Sequence, residues 1–73
     1  MIEYLVIIEP AEDQSGFCAY VPDLPGCIAT GRTREEARDR IAFSIPLHIA
    51  SLREHGEPVP PPAAKADRVI VAA

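Results

Sequence analysis

The stretch Val21–Ala37, VPDLPGCIATGRTREEA, limits the possible folds more than any other part of the chain. Pro22 and Pro25 fix φ near the turn value and hold the residues before them extended. Gly26 and Gly31 supply backbone conformations that other residues reach only with strain. Thr33 stands three residues before Glu36, the spacing of a capping box: the Thr33 side chain accepts from the Glu36 N–H, and Glu36 reaches back. Glu35 and Glu36 also place negative charge at the positive pole of the helix they open. The stretch therefore converts a strand into a turn, the turn into a short strand, and that strand into a helix. Such residues punctuate a fold and carry no chemistry by themselves.

A chain of 73 residues is expected to form a single domain, 1–73. At this size only about 60% of the unfolded surface is buried, so oligomerisation or docking on a partner is the expected supplement. The hydrophobic share of 48% with mixed charges specifies a globular chain. The net charge of −4 argues against direct nucleic-acid binding and suits a basic partner. No charged segment leads into an apolar run, and no run is long enough to span a bilayer, so the expected location is cytoplasmic. The spacings of Cys18 with Cys27 and of His48 with His55 match no zinc pattern, and no metal or cofactor is expected. Both cysteines read as small buried hydrophobes rather than a disulfide.

Ile2–Glu9 reads as a strand, rich in β-branched and aromatic residues and ended by Pro10. Leu5–Ile8 is apolar on both alternating faces, the pattern of a central strand covered on both sides. A polar turn to Gly16 leads into a return strand, Phe17–Val21, with Phe17, Ala19 and Val21 on one face. A third strand, Cys27–Thr30, follows. The helix is expected from Arg34 to about His55 with Gly56 just past its end, and with Ala37, Ile41, Ile45, His48, Ile49 and Leu52 on the sheet side. Pro46 removes one helical hydrogen bond, to Ala42, and implies a kink or a break into two helices. Phe43, Leu47 and Ala50 form a second apolar strip, a candidate oligomer interface, with a dimer favoured. The run EPVPPP at Glu57–Pro62 is extended linker, and Arg68–Ala72 is a final strand. The fold class is α+β, in the order β-β-β-α-β, with the last strand parallel to the first after a helical crossover.

The Val21–Ala37 run resembles the signature of the HicB-type antitoxin family, the inhibitory partners of small toxin ribonucleases. The preceding EYLVIIE strand and the helix ending in LREHGEPVPPP extend the resemblance over almost the whole chain. Arg32 and Pro46 depart from the family pattern, which often has an acidic residue after the glycine and an unbroken helix. The resemblance implies a partial ribonuclease-H-like sheet with one long helix on a face. It also implies a short form without the C-terminal DNA-binding segment of many relatives, and the acidic balance opposes DNA contact.

Ribonuclease H chemistry needs clustered carboxylates around two divalent metals. Here Glu35 and Glu36 are committed to a helix start and Glu12 and Asp13 to a turn, and no Asp lies on the first strand. Ser15, Ser44 and Ser51 have no His–Asp pair in evidence. No catalytic residue is assigned, and the chain is expected not to be an enzyme. The resemblance implies an antitoxin that docks on a small basic mRNA-cleaving toxin of the HicA type and covers its active site. Asp23, Glu35, Glu36 and Asp39 are the expected acidic contacts, with the Pro22–Gly26 turn presenting Leu24. The alternative is a stand-alone oligomeric structural or ligand-binding protein with no toxin.

Overall fold

The computed structural model describes residues 2–73. It contains three strands, β1 (Ile7–Pro10), β2 (Phe17–Tyr20) and β3 (Ile28–Gly31), and one helix, α1 (Arg34–Glu54). The strands form an antiparallel meander in the order β1-β2-β3, with Ile8 opposite Ala19 and Ala19 opposite Ala29. Helix α1 crosses one face and packs chiefly on β3. The α+β class expected from the sequence is the class observed.

Each element starts where its residues require. Asp13 Oδ1 accepts from the backbone N–H of Ser15 at 3.0 Å and from its hydroxyl at 2.6 Å, closing the polar turn between β1 and β2. These bonds hold the Asp13 carboxyl below its ordinary range. In the proline turn, Leu24 N–H donates to the Val21 carbonyl and Cys27 N–H to the Leu24 carbonyl, both at 3.0 Å. Gly26 completes it with φ +86°, which a side chain would strain. Thr33 caps α1, accepting from the Glu36 N–H at 3.0 Å. Glu36 reaches back one residue further than a simple capping box, to the Arg32 N–H at 2.9 Å. At the other end, Glu57 N–H donates to Leu52 and Gly56 N–H to Arg53, a Schellman closure with Gly56 at φ +69°. Thr33→Ala is expected to cost about 1 kcal/mol, measured as a shift in the urea midpoint with an unchanged slope.

The core is Ala19, Val21, Leu24, Cys27, Ala37 and Ile41, with Ile45, Ile49 and Leu52 of α1 packed against it. Gly31 is needed for a different reason from Gly26. Its φ is not positive, but a Cβ there would lie 2.5 Å from the Ala37 nitrogen, so its bare backbone lets α1 sit directly on β3.

Helix α1 runs unbroken through Pro46, so of the kink and the break that the proline implied the break does not occur. Pro46 has no N–H to give to the Ala42 carbonyl, and Ala42 is exposed, which leaves that carbonyl open to hydration. Strand β3 lies one residue later than expected, because Cys27 is spent closing the proline turn. The first strand is shorter than expected and lies at the edge of the sheet. Strand β2 ends at Tyr20, where the chain enters the Val21–Cys27 turn, so nothing remains on that side to pair with Ile2–Val6. Finally, Arg68–Ala72 forms no strand and does not pair with β1. The chain after α1 is held extended by its prolines. It is pinned where the Tyr4 hydroxyl donates to the Pro60 carbonyl and where Asp23 Oδ2 accepts from the N–H groups of Ala63 and Ala64, both at 3.0 Å. Beyond these pins every residue from Lys65 to Ala73 is exposed.

Candidate functional site

The expected acidic contacts separate into three groups. Leu24 is 1% exposed and supports the proline turn from within, so it presents nothing to a partner; the expectation that the turn displays it is corrected. It faces inward because the turn must close over the core, and Leu24 is its only large apolar residue. Asp23 is half-buried and already accepts two backbone hydrogen bonds from the chain after α1, so it acts as an internal latch. Glu36 is also engaged: besides the Arg32 N–H, its Oε1 lies 3.4 Å from Arg40, whose other guanidinium nitrogen donates to the Thr30 carbonyl at 3.1 Å. That network ties the start of α1 to the end of β3.

Glu35 and Asp39 remain exposed, one helical turn apart. Arg38 approaches Asp39 only to 3.9 Å, with both side chains largely in water, so the pair holds neither charge firmly. Continuing down the same side of α1 by steps of four, Glu35 and Asp39 lead to Phe43 and Leu47. Phe43 is 72% exposed and Leu47 59%. Ala50, further along, is exposed as well.

The structure adds one residue that the sequence reading passed over. Ile28 of β3 is 69% exposed, and it lines one cleft of about 250 Å³ together with Ser44, Leu47 and His48 of α1. The signal was present in the alternation of the strand, where Cys27 is buried and Ile28 must therefore face out. Helix and strand thus share an apolar surface, Ile28–Leu47–Phe43, continued by two free carboxylates. Such a surface suits association with a partner that has apolar contacts beside positive charge.

The metal-ligating and nucleophilic side chains lie apart from that surface or from one another. The described residues contain no group of three or more His, Cys, Asp or Glu placed to hold a metal ion. Both cysteines are free; Cys18 is exposed, contrary to expectation, while Cys27 is buried and burial pushes its thiol up, away from the reactive thiolate. Cys18 faces out because Ala19, its neighbour on the strand, takes the inward position. No helix among them is long and apolar enough to cross a membrane.

The chain is similar to known proteins over most of its length. It is 41% identical over 59 residues to a UPF0150 protein of Thermoplasma acidophilum, covering 81% of this chain and 84% of that protein. It is 42% identical over 57 residues to a UPF0150 protein of Synechocystis, covering 78% of this chain and 71% of the relative. An uncharacterized 14.9 kDa protein from the rep-hol intergenic region of Haemophilus phage HP1 is 37% identical over 57 residues, 41% of its own length. The model of the HicB-like antitoxins of bacterial toxin-antitoxin systems matches residues 4–71, which take in β1, the proline turn, the capped helix and the tail, and the chain belongs to that family.

Proposed function

We propose that this protein is a single-domain, cytoplasmic antitoxin that binds and inhibits a small basic mRNA-cleaving toxin of the HicA type, without catalysis of its own and without contacting DNA directly. Membership of the HicB-like family carries the reading. The exposed surface on α1 and β3 supports it: Phe43, Leu47 and Ile28 supply apolar area, and Glu35 and Asp39 supply charge of the sign a basic partner needs. In this reading Glu36 and Asp23 act indirectly. Glu36 fixes the start of the helix that carries Glu35 and Asp39, and Asp23 fixes the chain end beside the proline turn. Phe43, Leu47 and Ala50 then serve the toxin interface, the oligomer interface proposed for them from the sequence, or both in succession.

The test is co-expression with the neighbouring reading frame, co-purification, and RNA cleavage by the isolated partner with and without a molar excess of this protein. Inhibition at stoichiometric ratio is the expected result. Unchanged cleavage overturns the reading and leaves a stand-alone oligomer. Charge reversal refines the test. Glu35→Lys with Asp39→Lys is expected to slow association at least about tenfold at low salt and to flatten its salt dependence. Far-UV circular dichroism should be unchanged, since neither side chain is buried.

A further inference from the structure

A cleft of about 360 Å³ opens where β3 gives way to α1, beside the turn that leads into β2. Part of it is the bare backbone of Gly16 and Gly31, which stand so close that a Cβ on Gly16 would strike the Gly31 carbonyl. Arg32, Glu36 and Arg40 line it from the start of α1, and Cys18 and Thr30 line it from the strands, where they are paired across the ladder.

The two arginines differ. Arg40 is fixed in place: one guanidinium nitrogen donates to the Thr30 carbonyl at 3.1 Å, and the other lies 3.4 Å from Glu36 Oε1. A guanidinium has several N–H donors in a rigid fork, so Arg40 keeps donors to spare while its position is set. Arg32 gives its backbone N–H to Glu36, but its side chain has no carboxylate of its own, since the ion pairs among the described residues are Arg38 with Asp39 and Arg40 with Glu36. The Glu36 charge offsets a single arginine. The cleft therefore keeps an uncompensated positive charge in a chain whose net charge is −4.

We infer that this cleft is an oxyanion site, in which Arg32, beside the fixed Arg40, holds a carboxylate presented by an acidic side chain of the protein partner. The planar fork of a guanidinium matches the two oxygens of a carboxylate. A single surplus charge suits a monoanion, whereas a polyanion such as nucleic acid would meet the repulsion of the acidic remainder of the chain. The site also continues into the exposed apolar surface of α1. Arg40, Phe43 and Leu47 follow at i, i+3 and i+7, one side of the helix. The inference rests on the antitoxin reading for the source of the carboxylate and deepens it: Glu35 and Asp39 draw the basic partner in, and Arg32 fixes its orientation by reading an acidic residue on it.

The first measurement needs no partner. Cys18 is exposed and lines the cleft while Cys27 is buried, so Cys18 is the accessible thiol that reports on the site. An anionic aryl disulfide should react with Cys18 faster, relative to a neutral pyridyl disulfide, in the wild type than in Arg32→Gln, by about threefold at low salt, the effect of a unit charge at close range in water. Glu9, opposite Cys18 in the ladder, is present in both proteins and cancels. Acetate should shift the amide resonances of Ser15–Cys18 and Thr30–Arg32 saturably in the wild type and not in Arg32→Gln. Equal rate ratios, absence of a saturable acetate shift, or tighter binding of inorganic phosphate than of acetate each overturn the inference. The second measurement uses the co-purified complex. Arg32→Glu should weaken it at least about tenfold, with circular dichroism unchanged because the Arg32 side chain is exposed. A complex that keeps its affinity in Arg32→Glu overturns the inference and leaves the antitoxin reading standing. Failure of any complex to form overturns the antitoxin reading and the partner as source of the carboxylate, and the acetate titration then decides the site by itself.

Discussion

Leu24→Ala is expected to lower the unfolding free energy by about 2–5 kcal/mol, the range for truncating a well-packed leucine. Leu24 is one of the two largest fully buried side chains, with Ile41, and the proline turn closes over it through hydrogen bonds from its own N–H and to its own carbonyl. Shortening it leaves a cavity beneath a turn whose two prolines prevent collapse inward. Typical stability of a chain this size is on the order of 4–10 kcal/mol, so the loss approaches the whole. Leu47→Ala is the matched control, because Leu47 is 59% exposed. It should fall within about 0.5 kcal/mol of wild type. Urea unfolding of the two variants side by side is the measurement. Equal losses would mean that the turn does not bury Leu24.

The second large effect is expected at Gly31. In Gly31→Ala the new Cβ would meet the Ala37 nitrogen at 2.5 Å, the Glu36 carbonyl carbon at 2.9 Å and the Ala37 Cα at 3.0 Å. All three are backbone atoms of the first turn of α1, which cannot rotate aside as a side chain would. The helix must lift from β3 at the point where Thr33, Glu36 and Arg40 bind it. Overpacking of this kind costs about 1–3 kcal/mol. At about 4–8 °C per kcal/mol for a domain of this size, thermal unfolding should show it plainly. A neutral Gly31→Ala would show that α1 is not seated there. Lifting α1 would also move Glu35 and Asp39 relative to Ile28, so partner binding should weaken along with stability.

Most of the local structure was legible in the sequence. The capping box at Thr33–Glu36 and the glycine closure at Gly56 depend on residues no more than a few positions apart, so their chemistry is local. The helix face on the core was legible too, because Ala37, Ile41, Ile45, Ile49 and Leu52 follow the helical period. The candidate surface was legible in part. Phe43 and Leu47 stood out as apolar residues on the wrong side of α1, whereas Ile28 was passed over, although strand alternation carried the signal for its outward turn.

What the sequence left open concerns contacts between distant segments. Asp23 reads as a free carboxylate in a turn, and only the return of the chain forty residues later, bringing the Ala63 and Ala64 N–H groups to it, makes it a latch. Leu24 reads as displayed, and only closure of the turn over the sheet and helix buries it. The apolar pattern of Tyr4–Ile8 states that a strand wants partners on both sides but not where they come from. By itself, then, the sequence determined the three strands and the helix in their order, with the helix caps and its apolar face, because these are set by backbone preference and periodicity; it also called for a fourth strand, Arg68–Ala72, that does not form. The tertiary structure alone decided which carboxylates stay free, which turn residue is buried, and that β1 lies at the edge, because those outcomes depend on the path the chain takes after α1.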